Sequence, residues 1–165
     1  MRILGVDPGL ANTGWGVIEC SRYSQRALAY GCIRTDADAS RTNRLMLIHD
    51  DLTEVIRRYK PTEFAVEAVY FGTNAKSALS IGEVRGVAFL AAAECGLSAD
   101  EYSATQVKQN IVGAGRAGKA QIQYMVAALL NLDHKPAPDH SADALAVAIC
   151  HARLRRLKST QEGST

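Results

Sequence analysis

Apolar residues along the chain change their period after the first 35 positions, and that change separates strands from helices. Ile3–Val6 is an apolar, β-prone run, Pro8 and Gly9 turn the chain, and TGWGVIEC resumes as a second such run. Together with the following stretch this predicts three consecutive strands over roughly 1–7, 13–20 and 26–35. From Thr42 to Tyr59 the apolar positions Leu45, Ile48, Leu52, Val55 and Ile56 recur at helical spacing. A short strand at 63–67, an Ala-rich helix over 74–95, a short strand within 97–103 and a helix over 104–112 follow. After a break at 113–118 come a helix over 119–132 and a long helix opened by Pro138 and Asp139 and continuing to about Leu157. A strand meander followed by alternating helices and strands implies an α/β chain with one mixed sheet flanked by helices.

Four positions interrupt this pattern with chemistry. Asp7 ends the first apolar run, at the mouth of the expected hairpin, where turn chemistry and a functional role both remain open. Glu67 sits in an apolar run after Phe64–Val66, and a charged group so placed is rarely left without a partner. His140 and Asp143, three apart, share one face of the first turn of the last helix. Helix capping by Asp139 and a dipole-favoured Asp143 account for part of that turn but not for all four positions. In an open α/β sheet functional groups gather at strand ends, so Asp7 and Glu67 on neighbouring strands would meet His140 and Asp143 at one point. Carboxylates suit Mg²⁺ or Mn²⁺, and such clusters hold two ions about 3.5 to 4 Å apart for in-line attack on phosphodiesters. His140 is a softer donor, which leads us to expect higher activity with Mn²⁺ than with Mg²⁺; its alternative role is general acid or base.

Composition narrows the context. The 165 residues, 47% hydrophobic and 22% charged, suffice for one well-buried domain over 1–158, with 159–165 expected to be a disordered tail. No long apolar run or leader signature is present, so neither a membrane span nor a secretory signal is expected, and the cytoplasm is the expected compartment. Cys20, Cys32, Cys95 and Cys150 are spread singly, which fits buried thiols better than a zinc or redox motif. A net charge of +2 names no partner, but local clusters are more informative. Lys108, Arg116 and Lys119 frame a glycine-rich loop, Lys76 and Arg85 follow Glu67, and Arg153, Arg155, Arg156 and Lys158 close the last helix. These are candidate phosphate contacts, although the last cluster also suits the helix dipole and a solvated surface. GAGRAGKA, Gly113–Ala120, imitates a nucleotide-binding loop, yet Ala120 stands where Ser or Thr must reach Mg²⁺ and a helical segment precedes it.

The stretches ILGVDPGLANTGWGVI, FAVEAVYFGTNAKSALSIGEVRGVAFLAA, YSATQVKQNIVGAGRAGKAQIQYMV and DHSADALAVAICH, in that order, resemble the RuvC family of Holliday-junction resolvases. The resemblance implies an RNase H-like fold of the retroviral-integrase superfamily with a five-stranded mixed sheet. It also implies a homodimer that nicks two opposed strands of a four-way DNA junction, working with a branch-migration motor of RuvA and RuvB. Asp7, Glu67 and Asp143 fall on the family's catalytic acids, and His140 on a fourth position where some members carry Asp. Tyr70 falls where the family places an aromatic that stacks on a junction base; core or dimer packing is the alternative for it and for Phe71. Lys108 and Lys119 match basic residues near the scissile phosphate, and the helix Asn74–Glu94 resembles the dimer-forming helix, with simple burial as its alternative.

Overall fold

The computed structural model describes residues 1–21, 23–68, 75–113, 115 and 117–162, without the side chains of Ala75 and 158–162. Among the described residues five strands and five helices follow in the order expected. They are β1 (Arg2–Asp7), β2 (Asn12–Cys20), β3 (Gln25–Arg34), α1 (Arg41–Tyr59), β4 (Glu63–Glu67), α2 (Ala75–Glu94), β5 (Ala99–Tyr102), α3 (Ala104–Val112), α4 (Lys119–Leu129) and α5 (Asp139–Glu162). The strands form one sheet in the order β3-β2-β1-β4-β5. The β1–β2 and β2–β3 pairs are antiparallel, whereas β1–β4 and β4–β5 are parallel. This is the mixed five-stranded sheet flanked by helices that the resemblance implies.

Alternation along the central strands sends side chains to two separate cores. Leu4, Val6, Val17, Phe64 and Val66 pack against Ile48, Leu52, Val55 and Ile56 of α1 and Val84, Ala88 and Ala91 of α2. On the other face Ile3, Ile18, Ala65 and Tyr102 meet Val107 and Ile111 of α3, Ile122 and Val126 of α4, and Leu145–Cys150 of α5. Burying each large aliphatic or aromatic side chain contributes about 1.5–3 kcal/mol, so the sheet is held from both sides.

Local signals fix the helix ends. The Ser40 side chain accepts from Asn43 N–H to open α1, and Lys60 closes it in the left-handed region at φ 50°. A reciprocal capping box between Ser103 and Gln106 opens α3. Gly113 then ends α3 with φ 76°, and Gly118 precedes α4, so the GAGRAGKA segment joins two helices rather than a strand to a helix. That context excludes the nucleotide-binding geometry the motif imitates.

Three expectations shift. Helix α4 ends at Leu129 instead of 132, and α5 continues to Glu162 instead of about Leu157; 163–165 lie outside the described residues. Cys20 and Cys150 are buried, but Cys32 and Cys95 are only partly so. Among the described residues no helix is long and apolar enough to cross a membrane.

Candidate metal centre

Strand pairing creates the first half of the site. Val6 and Val66 are register partners in the parallel β1–β4 pair, so the next residues, Asp7 and Glu67, end neighbouring strands on the same edge. Helix α5 supplies the other half because glycines let it lie flush on the sheet. A Cβ at Gly5 would stand 2.2 Å from the Ala144 carbonyl oxygen, and one at Gly14 would stand 1.9 Å from that of His140. No other residue fits there without moving the helix. Behind the turn, the Thr13 hydroxyl, fully buried, donates to the Gly9 carbonyl at 2.7 Å and braces the loop that follows Asp7.

His140 Nδ1 lies 2.8 Å from Asp7 Oδ2. Asp7, His140 and Asp143 each offer a ligand atom within 4.8 Å of the others. Glu67 completes the set electrostatically: burial, the charges of Asp7 and Asp143, and a hydrogen bond to Asp7 push its carboxyl up to about 7, while Lys108 draws it down. Asp143 is raised by burial and then by Asp7, against the pull of Lys119. Carboxylates this close repel one another, and the hard oxygen donors with one imidazole fit a divalent cation, which would relieve that repulsion.

A cleft of about 240 Å³ opens beside these acids, lined by Glu67, Asp143, Lys108 and Lys119 over an apolar floor of Val107, Ile122 and Ala146. Lys108 comes from α3 and Lys119 from the first position of α4, so the helix-loop-helix segment delivers both cations to one opening. The remaining candidates part company. The Arg85 guanidinium is engaged by Glu101 and stacks on Phe89 at 5.3 Å, and Lys76 is exposed on the first turn of α2. Tyr70, Phe71 and Arg116 lie outside the described residues. Asp139 is the first residue of α5, and its carboxylate meets Lys119 Nζ at 3.3 Å and accepts from Gln123 Nε2 at 2.8 Å. Sequence reasoning missed both Asp139 and Gln123 as neighbours of the site. Their signal is the equal spacing of Lys119 with Gln123 and of Asp139 with Asp143, four apart on two helices.

The profile of a family described as crossover junction endodeoxyribonuclease RuvC matches residues 3–151. The chain belongs to the RuvC family. Crossover junction endodeoxyribonuclease RuvC of Pelotomaculum thermopropionicum is 50% identical over 152 residues, which cover 92% of this chain and 93% of that protein. The namesake from Heliobacterium modesticaldum is 53% identical over 92% of this chain and 94% of its own. Among solved structures, Thermus thermophilus RuvC in complex with a Holliday junction substrate superposes with a TM-score of 0.91 at 34% identity, covering 96% of each chain. The RuvC fold is RNase H-like, and the expected fold class and family are thereby established for this chain.

Proposed function

We propose that this protein resolves four-way DNA junctions, nicking two opposed strands by metal-dependent hydrolysis of the phosphodiester, in recombination and repair. The observation that carries this reading is the convergence of Asp7, Glu67, His140 and Asp143 on one strand edge beside a cleft rimmed by Lys108 and Lys119. The relatives' shared name supports it, as does the likeness to a RuvC solved with a Holliday junction.

Divalent ions held here, two per site by the chemistry of such clusters, would supply positive charge at the scissile phosphate and a water of lowered pKa. The chain's own residues do the rest. Asp7, Glu67 and Asp143 would hold the ions as carboxylates, which requires Glu67 to give up the proton that burial favours. Asp7 orients the His140 ring through Nδ1, leaving one ring nitrogen for a metal or a proton. Lys108 and Lys119 neutralise the DNA backbone at the cleft, and the apolar floor limits water. Imidazole in the donor set favours Mn²⁺ over Mg²⁺; His140→Asp should narrow the rate difference between the two ions, whereas an unchanged ratio assigns His140 to proton transfer.

A four-way junction has approximate two-fold symmetry, and a symmetric dimer would set two such sites on strands of like polarity. Helix α2 offers the surface: Leu79, Gly82, Gly86 and Leu90 share one stripe, the leucines are 67% and 53% exposed, and nothing lies within 4 Å of a Cβ at either glycine. The cytoplasm as compartment and a RuvA and RuvB branch-migration motor as further partner follow from the same family reading. The test is cleavage of an end-labelled four-way junction and its matched linear duplex with Mn²⁺ or Mg²⁺, beside Asp7→Asn. Paired nicks on the junction alone, lost in the variant, are expected; equal cutting of duplex would make it a general nuclease.

A further inference from the structure

Helix α4 begins with a cation where its dipole disfavours one. Lys119 occupies the first position, Gly118 before it gives no side-chain cap, and the first turn holds no acid. The compensating charge comes from α5. Asp139 uses both carboxylate oxygens on one face of α4, Oδ2 toward Lys119 Nζ at 3.3 Å and Oδ1 accepting from Gln123 Nε2 at 2.8 Å. One turn further along α5, Asp143 Oδ2 stands 3.6 Å from the same ammonium. Lys119 is therefore shared between an acid inside the candidate metal centre and one outside it.

We infer that Asp139 is a positioning residue for Lys119, holding the ammonium at the rim of the cleft for the incoming phosphate instead of letting it close onto Asp143. Gln123 fixes the carboxylate that does this, since its amide occupies the second oxygen. Without Asp139, the nearest remaining anion for Lys119 is Asp143, and the ion pair they would form competes with the carboxylate's role in the centre. The inference rests on the nuclease reading above.

Electrostatics alone gives the opposite expectation, which makes the idea testable. Asp139 is exposed, and removing an exposed acid beside a DNA-binding cleft should leave junction affinity unchanged or tighter. Single-turnover cleavage of a synthetic four-way junction at saturating protein, with the junction Kd measured separately in Ca²⁺, separates the two effects. Asp139→Ala and Asp139→Asn should cleave about three- to tenfold more slowly without losing affinity, a range set by an exposed ion pair that also fixes geometry. Asp139→Glu should recover most of the rate, Gln123→Ala should show a smaller loss of the same kind, and Asp133→Ala, an exposed acid beyond the opposite end of α4 from Lys119, should cleave as wild type. Unchanged cleavage by Asp139→Ala, a rate loss matched by lost affinity or lost Tm, or no recovery with glutamate would overturn the positioning role. If wild-type protein itself fails to cut the junction, the nuclease reading falls and this inference with it.

Discussion

At the residue scale, Glu67 makes the folded chain sensitive to pH when no metal is present. Its carboxyl titrates at 4.5 in an ordinary setting and at about 7 in the fold. Between those values the folded chain keeps a proton that the unfolded chain has released, so stability falls as pH rises through the window and stays lower above it. At about 1.4 kcal/mol per pKa unit the effect is on the order of 3 kcal/mol. With chelator present, Glu67→Gln should therefore raise Tm at pH 8 and change it little at pH 4.5, and with Mn²⁺ supplied it should abolish cleavage; a lower Tm at pH 8 would contradict the assignment. Divalent metal should stabilise the wild type more than the variant. That these four positions belong together was legible because an ionisable group ending or interrupting an apolar run, as at Asp7 and Glu67, has few structural excuses, and because His140 and Asp143 share one face of a helix turn. Asp139 was not, because a cap explains an acid at a helix start equally well, and only the packing of α4 against α5 brings Lys119 and Gln123 to it.

At the element scale, α5 connects the core to the chemistry. Gly14→Ala should push the His140 end of the helix off the sheet, with lost cleavage and a lower Tm, because the added methyl has backbone rather than a yielding side chain in its way. Farther along the helix, fully buried His151 joins two strands: Nδ1 is 2.9 Å from the Tyr102 hydroxyl and Nε2 is 3.3 Å from Glu63, which also holds Arg155. Asp100 lies 3.9 Å from Nδ1. Burial lowers the His151 pKa below 6.5, although Asp100 and Glu63 oppose the shift. The unfolded chain thus binds the proton first as pH falls, and the stability tied to neutral His151 is lost on acidification below that value. His151→Phe should cost about 1–3 kcal/mol near neutral pH, through the Tyr102 hydroxyl it leaves unpaired, and less at pH 5 in urea unfolding. The bounds of α1 and α3 were legible within a residue from the sequence pattern, and Ser40 and Ser103 prove to be the caps that open them. The end of α4 was not, because Leu130 and Leu132 keep packing into the core after the backbone has left the helix at Leu129.

At the scale of the whole molecule, topology follows from the order of the elements, since a meander and then alternating helices and strands leave few ways to cover one sheet. Assembly is less legible, because a stripe of Leu and Gly on an Ala-rich helix reads equally well as buried. The exposed stripe on α2 argues for association: Leu79→Glu with Leu90→Glu should yield monomers in sedimentation equilibrium while each chain keeps its fold. Such monomers would still hold a complete set of Asp7, Glu67, His140 and Asp143, so they should nick junctions singly without pairing the cuts. The most direct test of the central claim is cleavage of a supercoiled plasmid carrying an extruded cruciform, with Mn²⁺, followed by the topology of the first product. A dimeric junction resolvase converts it straight to linear DNA with opposed nicks at the cruciform base; accumulation of nicked circles, or binding without cutting, would contradict the account.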